Sequence, residues 1–566
     1  MDQVNQALWK RFLAVAKPYW FSDAKKSALG LLSMLLLLLV AVNGLNVVIN
    51  YVSGDFMTAL SKKDVPTFYH YLYIYGGVFV VGIPIVVMYG FVRQKLGVSW
   101  RNWLTNHLLD KYFKNRSYYR INNDPNIDNP DERLAQDVDS FTASALSLLL
   151  TILSSIITFF SFIFILYTIS IKLMIVLIVY ATVGTIVTLW FGKRLVGLNF
   201  NQLRREADYR YSVIHVRNNV ESIAFYRGEE RERQTIRKRF SDAISNYNLL
   251  IGWSRNLGFV TTGYDYFVVI IPSLVIAPLY FAGQIEFGVI SQADMAFGQV
   301  LGALSLVVAE FKLLTSFAAV VNRLAVFNEA LDAPEHASTP DATLIETKIG
   351  DDIKFNDVTL FTPKYERPLV RNLSTVVDAG SPLVVMGPSG SGKSSLLRAL
   401  AGLPMWNSGS GSIERPDLDN MLFLPQRPYM ILGSLREQLV YPKTDMKVDD
   451  KALMEVLALV NLEDLPERVG GFETVLHWAD VLSLGEQQRL AFARLLLGRP
   501  KYAILDEATS ALDAENELRL YGILKNSGTT FVSVGHRPSL IQYHRNVLVL
   551  DGKGGWSIVP SNQYTA

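Results

Sequence analysis

Six apolar stretches in the first 327 residues constrain this chain more than any other feature. A helix needs about 20 apolar residues to cross roughly 30 Å of hydrocarbon. Residues 27–50, 71–92, 145–169, 172–191, 257–282 and 296–321 each approach that length. One such stretch is compatible with a buried helix of a soluble protein. Six in succession predict a membrane domain of six helices, residues 27–328, preceded by an amphipathic segment, residues 1–26, that lies at the membrane surface. That opening segment carries charges and aromatic residues but no apolar core ending in small residues, so it does not read as a cleavable signal peptide.

The positions of Lys and Arg orient the spans, because basic loops stay on the cytoplasmic side. The start of the chain and the long connections 93–142 and 192–256 are rich in both residues, whereas 51–70, 170–171 and 283–295 are short or acidic. Both termini and both long loops are therefore expected inside, with helices continuing into the cytoplasm. Pro84, Pro272 and Pro278 predict kinks. Asp265, Glu310 and Lys312 are costly in hydrocarbon and are candidate cavity-lining residues. Glu310 and Lys312 stand two apart, so they point to different sides of a helix and do not pair with each other. Each either lines a hydrated pathway or lies near a helix end, and Asp265, at the start of its span, fits the interface.

Composition narrows the partners. The net charge is +2, and the basic residues fall between apolar runs, which argues against a nucleic-acid partner. The chain has no cysteine, which excludes disulfides, thiolate metal sites and a cysteine nucleophile.

After the last span, residues 329–350 mix Pro, Ala, Thr and charge without apolar periodicity and read as a linker. A soluble α/β domain is expected from 351 to 566. Its centre is the sequence PLVVMGPSGSGKSSLLRALAGL, an apolar strand, a glycine-rich turn and a helix. Gly387, Pro388, Ser389, Gly390, Ser391 and Gly392 form a loop whose N–H groups can wrap phosphate, aided by the helix N-terminus. Lys393 is assigned to the β- and γ-phosphates of ATP and the Ser394 hydroxyl to Mg2+, with Ser395 next in the helix. A second apolar strand, YAILDE, ends in Asp506 and Glu507, suited to organise Mg2+ and to act as general base toward the attacking water. Such chemistry is mostly positioning and charge neutralisation.

Further motifs follow in order: Gln426 in LPQRPYM, SLGEQQR after Leu482, SALD ending at Asp513, and His536 in SVGHRPSL. Together they resemble the Q-loop, signature, D-loop and switch histidine of the ABC transporter family. The resemblance implies an exporter-like (type IV) six-span fold joined to an ABC nucleotide-binding domain, in a domain-swapped homodimer. It assigns Gln426 to ATP and Mg2+ and makes His536 catalytic with Glu507 and Lys393. It also implies that Ser483, Gly485 and Glu486 act on the nucleotide held by the partner copy, across an interface that includes Asp513. Leu484 stands where the common signature has glycine and Glu486 where it has glutamine, which raises the question of whether backbone can still approach phosphate. Phe361 and Tyr365 are both eligible to stack on adenine.

Residues 129–137, NPDERLAQD, and 218–232, NNVESIAFYRGEERE, resemble segments of the subfamily D half-transporters, the peroxisomal and lysosomal type, and of their bacterial SbmA/BacA-like relatives. In the second, Glu221 and Gly228 match a coupling motif. The LSLGE signature is more similar to the bacterial, cobalamin-associated branch than to the acyl-CoA branch. This implies a hydrophilic cargo such as cobalamin or peptides, moved inward; with no obvious targeting extension, a bacterial inner membrane is the expected location. A fatty acid or acyl-CoA is the competing cargo, and a membrane-bound regulatory or assembly ATPase the competing function. The six spans exclude a soluble ABC ATPase acting on DNA or ribosomes.

Overall fold

Helices of 37 to 53 residues dominate the first half of the computed structural model. It describes residues 2–124, 127–306, 310–333, 344–362, 367–443, 445–535 and 537–564. In order these helices are α1 (Asp2–Trp20), α2 (Lys25–Ser61), α3 (Val65–Phe113), α4 (Val138–Ile169), α5 (Ile171–Asn218), α6 (Glu229–Phe281), α7 (Phe287–Leu304) and α8 (Phe311–Asp332). At 1.5 Å per residue, α3, α5 and α6 are each about 70–80 Å long, more than twice the hydrocarbon thickness. This is the continuation beyond the membrane that the two long basic loops predicted. Among the described residues, four helical stretches, Lys25–Ser61, Val65–Asn122, Pro130–Ile169 and Glu229–Phe281, are long and apolar enough to cross a membrane, and Ile171–Val187 is a shorter apolar opening of α5. Pro84 lies inside α3, and Pro272 and Pro278 inside α6, each within a helix that continues through it.

The sixth apolar stretch has its described residues in two helical segments, with 307–309 outside the described residues. It is shared between α7 and α8, and the chain turns at Ser305 and again at Glu310. Gly298, Gly302 and Ser305 weaken α7 toward its C-terminal end. Glu310 is half-buried at the turn that precedes α8, and Lys312 lies in the first turn of α8. Asp265 is exposed on α6 beside the stacked rings of Tyr180 and Tyr264, whose centroids are 4.2 Å apart.

The chain divides into two units, Met1–Tyr112 with Asn126–Asp332, and Phe113–Pro125 with Ala333–Ala566. In the first, α7 packs on α2 through small residues. A Cβ added to Gly288 would lie 1.7 Å from the Gly54 carbonyl oxygen, so the two backbones touch. The contact is fixed by Asn50, which donates to the Gln292 carbonyl at 2.9 Å, and by Thr58, whose hydroxyl accepts from the Gly288 N–H at 3.1 Å.

The NPDERLAQD segment folds as a short helix, Pro130–Glu132, followed by a π-helical turn, Arg133–Asp137, that leads into α4. Asp137 is buried between two arginines. It accepts from Arg133 at 2.8 Å and from Arg323 of α8 at 2.9 and 2.5 Å. Arg133 and Asp137 of this motif therefore face inward, and Asp137 ties α8 to the start of α4, while Asn129, Asp131, Glu132 and Gln136 stay exposed.

The second unit holds two sheets. One has the order β1-β5-β2-β3, with β1 (Glu346–Ile349), β2 (Ile353–Phe361), β3 (Pro368–Val377) and β5 (Gly409–Arg415). The other has the order β10-β9-β4-β8-β7-β6, with β4 (Leu383–Met386), β6 (Met421–Leu424), β7 (Tyr502–Asp506), β8 (Thr530–Val534), β9 (Asn546–Leu550) and β10 (Trp556–Pro560). Its central strands are parallel and buried on both faces, which is why they read as continuous apolar runs. β1 lies in the stretch that reads as linker, yet it pairs with β5. α8 also runs into that stretch, to Asp332, and residues 334–343 lie outside the described residues.

Candidate nucleotide site and coupling surfaces

β4 ends at Met386 and the chain turns through 387–392 into α9 (Lys393–Leu400), the strand, loop and helix that the sequence predicts. Gly387 has φ 145°, and a Cβ there would sit 2.4 Å from the Leu550 carbonyl oxygen, so only glycine fits. The Lys393 ammonium donates to the Gly387 and Pro388 carbonyls, both at 2.9 Å, which curls the side chain back under the loop. Burial holds Lys393 below the ordinary lysine range, against the opposing pull of Glu507 and Asp506. The Ser391 hydroxyl is buried with no hydrogen-bond partner among the described residues. A buried hydroxyl inside a loop of N–H donors suits an anion's oxygen.

Opposite this loop, the Ser394 hydroxyl donates to Asp506 at 2.8 Å, and the Gln426 amide donates to Glu507 at 2.9 Å. The residues predicted to organise Mg2+ and water therefore meet at the ends of β6 and β7. Burial raises Asp506 above the usual carboxylate range, in spite of the Ser394 hydrogen bond. Glu507 has φ 50°, an uncommon conformation for a side-chain-bearing residue that concentrates at functional sites. The donors are hard oxygens and too few to enclose an ion, the usual arrangement for Mg2+ that shares ligands with substrate phosphates. His536 and Tyr365 lie outside the described residues. Phe361 closes β2 and is half-buried.

The signature opens α10 (Leu484–Gly498). Ser483 is the N-cap, in a reciprocal capping box with Glu486, whose carboxylate accepts from the Ser483 N–H at 2.8 Å. Leu484 has no positive φ and is partly exposed, so the replacement of glycine there brings no left-handed backbone strain. Gly485 follows it in the first turn. Asp513 caps the helix Ala514–Asn526, accepting from the Asn516 N–H at 2.8 Å.

Two further surfaces involve the long loops. Within the second unit, Arg116 donates to the Ala401 carbonyl at 2.8 Å, just past the C-terminal end of α9 where a cation is favoured, and Trp406 donates to the Tyr119 hydroxyl at 2.9 Å. The other loop forms a short helix, Val220–Tyr226, with no buried residue. Glu221 is exposed on it, Gly228 is the N-cap position of α6, and Phe225 and Tyr226 are 79% and 87% exposed.

The ABC transporter transmembrane region 2 family profile matches residues 17–281, and the ABC transporter profile matches residues 370–510. An ABC transporter ATP-binding protein of Synechocystis is 53% identical over 94% of this chain and 82% of its own length. ABC transporter D family member 2, chloroplastic, of Arabidopsis thaliana is 41% identical over 96% of this chain and 86% of its own. The chain is an ABC half-transporter of the subfamily D type. The human lysosomal cobalamin transporter ABCD4 is 32% identical to the half-transporter over 97% of this chain and 96% of its own length. A bacterial Atm1-family ABC exporter solved with ATP bound superposes with a TM-score of 0.72 over 94% of each chain, at 18% identity. That likeness shows the type IV fold. As an ABC transporter, the protein is an ATPase coupled to transport across a membrane.

Three groups in the half-transporter escaped the sequence. Gln488 is fully buried and donates to the Gln426 carbonyl at 2.8 Å, while its own carbonyl accepts from the Ala511 N–H at 3.0 Å. It thus joins Q-loop, signature helix and D-loop. Arg494, further along α10, donates to the Tyr429 and Gln438 carbonyls and is pushed down to about 10 by burial. Arg116 and Tyr119 are the third group. Only partner geometry marks any of them, because glutamine and arginine in a helix usually face solvent.

Proposed function

We propose that two copies of this half-transporter bind two ATP molecules between their nucleotide domains and move a hydrophilic cargo, such as cobalamin or a peptide, inward across a bacterial inner membrane. The observation that carries the ATP part is the meeting of Ser394, Asp506, Gln426 and Glu507 at one point beside the phosphate loop. One nucleotide domain per chain supports dimerisation, and two identical copies form the simplest closed assembly. The exposed Phe225 and Tyr226, beside Glu221 and Gly228, supply an unburied apolar surface suited to a partner copy's nucleotide domain.

In this reading the N–H groups of residues 387–392 and Lys393 hold the phosphates. Glu507 takes the proton of the attacking water, with His536 beside the γ-phosphate. Ser394, Asp506 and Gln426 would hold Mg2+, which offsets phosphate charge when bound. Ser483, Gly485 and Glu486 of one copy complete the site of the other. Nucleotide-dependent closing and opening of the motor domains then drives alternating access of the spans. The cargo assignment is supported by the LSLGE signature and by the ABCD4 relative.

Reconstitution into proteoliposomes with cobalamin, peptides and acyl-CoA in parallel tests this. The expected result is ATP-dependent uptake of cobalamin or peptide, lost in Lys393→Ala. Accumulation of acyl-CoA alone would reassign the cargo, and ATP hydrolysis without any cargo movement would favour a regulatory or assembly ATPase.

A further inference from the structure

The signature carries a carboxylate, Glu486, where the common form of the motif has a neutral amide. Glu486 sits at the third position of α10, and one carboxylate oxygen accepts from both the Ser483 N–H and the Ser483 hydroxyl, at 2.8 and 2.9 Å. The other oxygen accepts from Arg468 at 2.5 Å. The Glu486 side chain is 16% exposed and Arg468 44%. Burial disfavours the charged carboxylate, but the hydrogen bonds from Ser483 and Arg468 outweigh it and hold Glu486 below the ordinary range, so it is an anion at neutral pH.

This arrangement favours the helix and opposes its ligand. An acid in the first turn stabilises a helix N-terminus. The same N-terminus attracts phosphate through its free N–H groups and dipole. A carboxylate there repels a phosphate that approaches the signature, unless a cation cancels it. Arg468, on the separate short helix Leu465–Val469, is placed to do so. It also reaches back to Asp464 at 3.4 Å, a longer and more exposed contact.

We infer that Arg468 is a positioning residue for the nucleotide sandwich, acting through Glu486. By pairing with that carboxylate it leaves the signature electrically neutral toward the γ-phosphate of the partner copy's ATP. The inference rests on the proposed dimer, in which the signature of one copy meets the nucleotide of the other.

The test is steady-state ATP hydrolysis by the full-length protein in nanodiscs, at low and high salt. Arg468→Ala is expected to raise the ATP concentration for half-maximal rate about tenfold at low salt. Arg468→Lys, which keeps the charge, is expected to stay close to the unmodified protein. In a Glu486→Gln background, where the amide still serves the capping box, the effect of Arg468→Ala is expected to shrink at least threefold. Raising salt to about 0.5 M is expected to shrink it as well, because repulsion between partly exposed charges is screened. An equal defect in both backgrounds, or one indifferent to salt, would overturn the inference. Failure of the dimer reading has a separate signature: Ser483→Arg would then hydrolyse ATP normally, whatever stands at 468. If Arg468→Ala does not assemble, Arg468→Gln in the two backgrounds gives the same comparison.

Discussion

Asp137 accepts two hydrogen bonds from Arg323, at 2.9 and 2.5 Å, across 186 residues of sequence. The pair joins the start of α4 to α8, the last helix of the membrane unit before residues 334–343. Arg133 completes the shell of the carboxylate. Arg133 and Asp137 are both buried, and removing one member of a buried pair leaves an uncompensated charge that typically costs about 3–5 kcal/mol. Asp137→Ala is therefore expected to lower the thermal midpoint of the detergent-solubilised protein by several degrees, and Arg323→Ala to lower it less, because Arg323 is partly exposed and Asp137 keeps Arg133. Midpoints unchanged in both would show that the contact carries no stability.

Gln488 ties three motifs together through one side chain. Gln488→Leu removes an amide of similar size and leaves the Gln426 carbonyl and the Ala511 N–H without this partner, a cost of about 1–3 kcal/mol. Since neither group touches the phosphate loop, the expected signature is a fall in maximal ATPase rate with nucleotide binding retained. Binding measured with a fluorescent ATP analogue separates the two, and loss of binding in parallel with rate would refute the positioning role.

Glu507→Gln keeps the shape of the side chain and removes its basicity. General-base catalysis typically contributes 10²–10⁴-fold, so ATPase activity is expected to fall by about that factor while ATP still binds and holds two copies together. Near-normal turnover would remove Glu507 from the role of base. Sizing of the protein with and without ATP reads the trapped dimer.

His544 is buried behind β8, with its ring nitrogens against the Leu540 carbonyl at 2.7 Å and the Ser533 hydroxyl at 2.9 Å. Burial depresses it to about 4, from an ordinary 6.5. The folded state therefore keeps it neutral, while an unfolded chain takes up a proton below pH 6.5. Its contribution is fully present above that pH and is lost as pH falls toward 4. Between pH 7 and pH 5 the loss is about 2 kcal/mol. Thermal midpoints at the two pH values should differ more for the unmodified protein than for His544→Gln, and an equal acid sensitivity would exclude this residue.

Much of this molecule is legible without coordinates. Long apolar stretches have few alternatives to membrane helices, because backbone polar groups in hydrocarbon must be satisfied within the segment. The phosphate loop is equally explicit, since Gly387 is the residue type that a φ of 145° against the Leu550 carbonyl requires. The order of motifs gives the family for the same reason: each is a local device whose residue types its chemistry dictates.

What the chain alone could not show depends on partners distant in sequence. The turns at Ser305 and Glu310 fall within a stretch that reads as one span. β1 arises from apparent linker because β5, some 66 residues later, offers its edge. Asp137, Gln488 and Arg468 are polar residues on helices, and composition assigns such residues to solvent. Folding brings Arg323 to the first, the Gln426 carbonyl to the second and Glu486 to the third. Local sequence thus fixed the helices, the phosphate loop and the family to which they belong. Tertiary structure alone decided which charges are cancelled and which motifs move together, because hydrogen bonds and ion pairs act over a few ångströms in space and are blind to separation along the chain.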